Sequence, residues 1–241
     1  MFGVKGENKM LRKLDNKRMG RSNLGWLRSI FHFSFAEYYN PDNMNFGVLR
    51  VINDDLIEGG TGFDTHPHRN MEIISYVVNG ELTHGDSMGN KNTLSRGQVQ
   101  YMSAGTGVLH SEHNLGNDTA RFLQIWILPE KNGYAPNYGD YRFAFEDRKN
   151  KWLHMVSGKS GSAPIKINQD ANLYAIELDE GKEITFPVER NRQAYLVQIE
   201  GEASINNIRL SIRDAMEIIE ENIKISAETT SHILVIEMAK N

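Results

Sequence analysis

The strongest constraint on the fold is a pattern of short β-rich runs, broken by turn residues, that occurs once and then recurs. Ile73-Ile74-Ser75-Tyr76-Val77-Val78 is dense in β-branched and aromatic residues and stops at Asn79-Gly80, a dipeptide that accepts positive φ and so predicts a hairpin turn. Residues 81–84 leave that turn as a second strand. Residues 122–128 form another apolar run that ends at Pro129, and the Tyr-, Asn-, Gly- and Pro-containing stretch 131–141 reads as a linker. Beyond it Tyr195-Leu196-Val197-Gln198-Ile199-Glu200-Gly201-Glu202 resembles Tyr76-Val77-Val78-Asn79-Gly80-Glu81. In the same order, Leu210-Ser211-Ile212-Arg213-Asp214 resembles Leu94-Ser95-Arg96-Gly97-Gln98, at offsets of 119 and 116 residues. Two copies of one β domain, residues 1–130 and 131–241, are the simplest account. Residues 213–224, RDAMEIIEENIK, have the composition of a helix, but the repeat aligns them with a strand near residues 97–103, so strand is predicted.

Composition narrows the chemistry. With 241 residues the chain is long enough for a real core, and 39% hydrophobic with 24% charged residues is ordinary globular usage. No apolar run approaches the length of a membrane span, and the first residues carry Lys and Arg with no apolar segment behind them, so a cytoplasmic location is predicted. There are no cysteines, which removes disulfides, thiolate zinc sites and a Cys nucleophile; any metal must sit on N and O ligands. A net charge of −4 offers no global attraction to nucleic acid. The basic stretch 9–28 is the local exception, and it reads as a solvated arm.

Two short motifs stand out against only 8 histidines: His66-Pro67-His68, followed by Glu72, and His110-Ser111-Glu112, followed by His113. In a strand, residues i and i+2 lie on one face about 6.5–7 Å apart, so His66 with His68, and His110 with Glu112, can point into one interior. Pro67 faces away and stiffens the backbone between its neighbours. Three imidazoles and a carboxylate from two strands suit a divalent transition metal with open positions for water or substrate. His113 has the opposite parity and should turn away. His84 reads as a rim residue and His32 as a packed polar group, while His154 and His232 default to the surface. The aromatic cluster Phe31, Phe33, Phe35, Tyr38 and Tyr39 reads either as a substrate mouth or as core. Counting back from the shared Tyr, the positions of His66 and His68 fall on Thr185 and Pro187 in the second copy, which is therefore predicted to lack a metal site.

These residues carry a resemblance. Gly60-x5-His66-x-His68-x3-Glu72-x7-Gly80 follows the first cupin motif, and Gly97-x5-Ser103-x-Gly105, continuing to His110-x3-Asn114, follows the second with a longer spacing and Ser103 in place of a proline. The surrounding sequence over residues 29–129 is similar to the pirin family, and the second half resembles it more loosely. The resemblance implies an all-β bicupin, two antiparallel, jelly-roll-like β-barrels face to face, with metal in the N-terminal one only. It also implies the choice of carboxylate: Glu112 rather than Glu72 joins His66, His68 and His110, leaving Glu72 to hydrogen-bond a ligand imidazole.

Pirin-like proteins include enzymes that open the flavonol ring of quercetin. The implied function is a metal-dependent quercetin 2,3-dioxygenase acting on a flavonol and dioxygen, with Fe(II) the first choice and Ni, Mn, Co, Cu or Zn also suited to the donor set. Glu112 would in addition accept the proton of the substrate hydroxyl. The alternative is a metal- or redox-dependent regulator that binds a transcription factor or metabolic enzyme. Two barrels in one chain already supply the pairing, which suits a monomer and leaves a dimer open.

Overall fold

The structure is a computed structural model describing residues 10–240. Its strands form four sheets, and the helical segments among the described residues are two 3-10 turns, Asn16–Arg18 and Phe145–Asp147. No helix among them is long and apolar enough to cross a membrane.

Each half of the fold pairs a seven-stranded sheet with a four-stranded one. In the first half the seven-stranded sheet runs Asn137–Tyr141, Val99–Ser103, Glu72–Asn79, Ala120–Ile127, Leu49–Ile57, Leu27–Phe31, Gly20–Asn23. The four-stranded sheet runs Thr61–His68, Val108–Asn114, Glu81–Asp86, Lys91–Ser95. The second half repeats the arrangement, with Arg192–Glu200 in the place of Glu72–Asn79 and Glu183–Phe186 beside Ile223–Ala227 in the place of the histidine-bearing pair. The bicupin architecture is therefore present, but as two-sheet jelly rolls rather than closed barrels.

The two seven-stranded sheets cover each other, which explains why their central strands are buried along nearly their whole length instead of alternating. One face of each strand looks into its own jelly roll and the other into the interface between the halves. Ile52, Ile74, Tyr76, Leu123 and Ile125 meet Leu173, Tyr195, Val197, Leu234 and Ile236 there. The Tyr shared by the two repeats has a matching role in each. Tyr76 Oη lies 2.7 Å from His232 Nε2, and Tyr195 Oη lies 3.0 Å from His32 Nδ1, so each phenol meets an imidazole of the other half. His232 is thus buried in the interface and not at the surface. Asp54 takes a two-pronged contact from Arg121 at 2.8 and 2.7 Å and a second guanidinium, Arg213, at 3.2 Å.

Four local expectations change. Gly80 does adopt positive φ, at 75°, yet the turn is no hairpin: the strands on either side of it pair in different sheets, so it carries the chain from one sheet to the other. Residues 131–141 are not wholly linker, because Asn137–Tyr141 pairs with Val99–Ser103. The basic stretch is no solvated arm, since Met10–Leu14 adds an edge strand to the second half along Ala215–Ile219. Arg12 forks onto Glu217, and Lys13 reaches Asp214 at 2.9 Å. Residues 213–224 are extended as expected, but the strands Ala215–Ile219 and Ile223–Ala227 belong to different sheets and are separated at Glu220, where φ is 51°.

Candidate metal centre

Thr61–His68 and Val108–Asn114 are antiparallel neighbours, with His66 directly opposite His110 and His68 opposite Val108. The i, i+2 spacing puts His66 and His68 on one face, and the pairing register adds His110 to it. The ring centroids are 4.8 Å (His66–His68), 4.5 Å (His66–His110) and 4.8 Å (His68–His110) apart. One nitrogen from each ring lies within 4.8 Å of the others. Pro67 sits opposite Leu109, which is 47% exposed, on the outer face.

A bulge between His110 and Glu112 sets Glu112 opposite Phe63, and such an irregularity re-aims the side chains that follow it. Glu112 is buried. Its Oε1 accepts from Ser75 Oγ and Gln100 Nε2, both at 2.7 Å, and Oε2 accepts from Gln124 Nε2 at 2.5 Å. Its oxygens gather with His84 and His110 in a second group that could hold a cation, rather than with all three imidazoles of the first. His84 is correspondingly not a rim residue. It is fully buried, stacked on Tyr138 at 4.6 Å, and its Nε2 lies 2.9 Å from Asp86 Oδ2 while Nδ1 has no partner among the described residues.

Glu72 does not touch an imidazole. It shares parity with Ile74 and Tyr76, so it faces the interface, where it accepts from Ser103 Oγ at 2.7 Å and Asn168 Nδ2 at 3.1 Å. His113 turns outward toward Asp64 at 3.4 Å, as parity requires. His154 stacks on Tyr174 in the second half at 4.3 Å. The aromatic cluster divides by parity as well: Phe31 and Phe35 line the cavity beside the imidazoles, Phe33 packs on Tyr195 in the interface, and Tyr39 is 73% exposed.

The electrostatics favour a cation at the imidazoles. Burial, helped by His66 and His84, pushes His110 down to about 3, and burial with His110 and His66 pushes His68 down to about 4. Both rings are therefore neutral at neutral pH, which is the ligating form. His66 Nδ1 lies 2.7 Å from the Asp64 carbonyl oxygen. Nδ1 thus carries the hydrogen and Nε2 keeps its lone pair. Both His110 nitrogens are buried without a partner among the described residues, a costly arrangement unless something binds there. An N/O donor set of this kind, next to an anionic carboxylate, fits a divalent transition metal.

A cavity of about 300 Å³ opens beside these groups, with His66, His68 and Glu112 on one side and Phe31, Asn53, Asp55 and Trp126 among its other walls. Sequence reasoning passed over Ser75, Gln100 and Gln124. Each is a lone polar residue of inward parity inside an apolar strand run, and that was the available signal.

The chain matches the Pirin family over residues 13–127 and the Quercetinase C-terminal cupin domain over residues 154–238. It is 42% identical over 224 residues to a pirin-like protein of Caulobacter vibrioides, covering 92% of this chain and 97% of that one. It is 40% identical over 230 residues to the quercetin 2,3-dioxygenase of Escherichia coli K12, covering 95% and 97%. Among solved structures it is similar to the bacterial pirin YhhW of Escherichia coli in complex with nickel(II), with a TM-score of 0.90, 38% identity, and 96% and 100% of the two chains covered.

Proposed function

Because this chain belongs to the pirin family, we propose that it is a metal-dependent dioxygenase that opens the ring of quercetin-like flavonols, with His66, His68, His110 and Glu112 holding one divalent transition metal. The observation that carries this reading is the meeting of three imidazoles, two of them held neutral, beside a buried carboxylate at the wall of a cavity of about 300 Å³. That volume falls in the range usual for small-molecule sites, about 300–1,000 Å³. Fe(II) is the metal placed first; nickel, bound by the related YhhW structure, suits the same donors, as do Mn, Co, Cu and Zn.

When bound, the metal supplies Lewis acidity toward a flavonol oxygen and access to dioxygen. The chain's own residues do the rest. Glu112 Oε1 is saturated by Ser75 and Gln100, whereas Oε2 accepts only from Gln124. One lone pair of Oε2 is left, to meet either a cation or the proton of the substrate hydroxyl, one at a time. The three donors hold the carboxylate in place while its partner changes. Phe31, Phe35 and Trp126 offer flat apolar walls to an aromatic ligand and limit water around it.

The test is quercetin loss together with dioxygen uptake by protein reconstituted with Fe, Ni, Mn, Co or Cu. Turnover with at least one metal, abolished by a chelator, is expected. No turnover with any of them rejects the dioxygenase reading.

A further inference from the structure

We propose that Asn53 and Asp55, with Ser29, form a hydroxyl-recognition wall in the metal cavity that selects polyhydroxylated aromatic ligands by binding ring hydroxyls remote from the metal. The inference rests on the reading of this cavity as a flavonol site and adds which end of the ligand is read, and by what.

The wall follows from strand register. On the seven-stranded sheet of the first half, Gln100, Ser75, Gln124 and Asn53 are successive ladder partners across four strands, so they share the inner face. Glu112 ties down the first three. Asn53 is next in the row and receives no such contact: its Oδ1 is buried with no hydrogen-bond partner among the described residues. Two residues along the same strand, and so on the same face, is Asp55, with Ser29 opposite it on the neighbouring strand. Ser29 Oγ donates to Asp55 Oδ1 at 2.5 Å, and no donor among the described residues reaches Oδ2. All three residues line the cavity, and all three are buried.

This is not what the fold needs for stability. A buried carboxyl with one neutral donor and no cation destabilises a protein, and so does a buried amide oxygen left unpaired. The second half provides an internal control. Its ladder path from Ala194 through Glu237 leads to Asn172, the counterpart of Asn53. Asn172 is satisfied at both ends, donating to Glu237 at 2.8 Å and meeting His154 at 3.0 Å. Along this row, unmet capacity is thus confined to the half that carries the imidazoles. Burial pushes the Asp55 carboxyl up to about 7, so near neutral pH it can both donate to and accept from a phenol.

The geometry gives the ligand an orientation. The imidazoles rise from the four-stranded sheet, and Asn53 and Asp55 project from the facing seven-stranded one. A ligand that chelates the metal with one edge brings its other ring positions toward that wall. A site built to hydrogen-bond a hydroxyl discriminates strongly against an analogue lacking it, because its buried groups are then left unpaired.

The experiment compares equilibrium affinity for quercetin and for 3-hydroxyflavone, which keeps the chelating hydroxy-ketone edge but lacks the other ring hydroxyls. It uses metal-loaded protein without oxygen, followed by quenching of tryptophan fluorescence. Wild type should bind quercetin about tenfold or more tightly than 3-hydroxyflavone. Asp55→Ala and Asn53→Ala should each pull that ratio toward one by weakening quercetin alone. If Asp55→Ala does not fold, Asn53→Ala decides. Equal affinity of wild type for the two ligands, or variants that weaken both ligands alike, overturns the inference. Protein that discriminates the ligands through these residues but does not consume quercetin in air keeps this inference and removes the dioxygenase reading. Turnover with affinities indifferent to both substitutions does the reverse.

Discussion

The interiors of the two jelly rolls share a ladder and differ in chemistry. Where the first half has Gln100, Ser75, Gln124 and Asn53 in one row, the second has Ile218, Ala194, Glu237 and Asn172. Where Val108–Asn114 turns His110 and Glu112 inward, Ile223–Ala227 turns Ile223, Ile225 and Ala227 inward, among a continuous set of buried aliphatic side chains. The polar groups that remain in the second row are satisfied within the protein: Glu237 is forked by Arg192, which also reaches Asp170 at 2.6 Å. In the first half several are not, including both nitrogens of His110, His84 Nδ1, Asn53 Oδ1 and Trp126 Nε1. In the second half Gln198 Oε1 alone among the described buried side-chain atoms lacks a partner, whereas the first interior is complementary to something the chain does not itself provide.

The comparison breaks most visibly at His110. His110→Ala is expected to lower metal affinity about 100-fold or more, because it removes the ring that stands between His66 and His84. Elemental analysis and chelator competition measure this, and unchanged metal content would show that the imidazoles are not the ligands. Leu196→Ala, in the aliphatic interior of the other half, should do the opposite. A loss of about 3 kcal/mol in denaturant unfolding is expected, with metal content intact. If that substitution also empties the metal site, the halves are not the independent interiors described.

The next effect depends on pH. Burial, with smaller help from Asp54 and Glu112 and against the Ser29 hydrogen bond, raises Asp55 to about 7, whereas an unfolded Asp titrates near about 4. The native state therefore holds this proton more tightly than the unfolded one. The destabilisation is absent below about 4, grows as pH rises through this window, and is complete above about 7. Asp55→Asn should match wild type at about pH 3.5 and exceed it by about 2 kcal/mol at about pH 8, less than full conversion of the shift because the cavity reaches water. A gap that does not change with pH would contradict this.

The smallest contrast is also the most direct. Asn172→Ala should cost about 1 kcal/mol by leaving partners of Glu237 and His154 unmet, whereas Asn53→Ala should cost close to none, since its oxygen has no partner to lose. Thermal unfolding of both variants side by side would sharpen the comparison; equal losses would remove it.

Legibility in the sequence followed strand parity. His66, His68 and His110 could be placed on one face because i, i+2 spacing is local, and His113 could be turned outward for the same reason. Parity alone could not say which face of Glu72 looks into the cavity, and Glu72 in fact binds Ser103 and Asn168 across the interface. The expected counterparts of His66 and His68 show the same limit. Thr185 lies opposite Lys224, and the side chains packed inward are Ile184, Phe186 and Val188, because loops of unequal length shift the register by one. His84 and His232 each carry no local mark of burial. Asp86 is a same-strand neighbour of His84, but Tyr138, Tyr76 and Glu200 are brought to these imidazoles by pairing and packing.

The sequence by itself determined the strand-and-turn character, the doubling of the domain, the absence of thiolate chemistry and the spacing of the imidazole pairs, which depend on composition, on recurrence of pattern and on neighbours a few residues apart. Only the tertiary structure decided that the chain changes sheets at Gly80 and that Glu112 is held by three strands. It also decided that Asn53 and Asp55 face the cavity unmet. Those facts depend on pairing between segments distant in the chain, where the burial of one face is set by what the other half of the molecule covers.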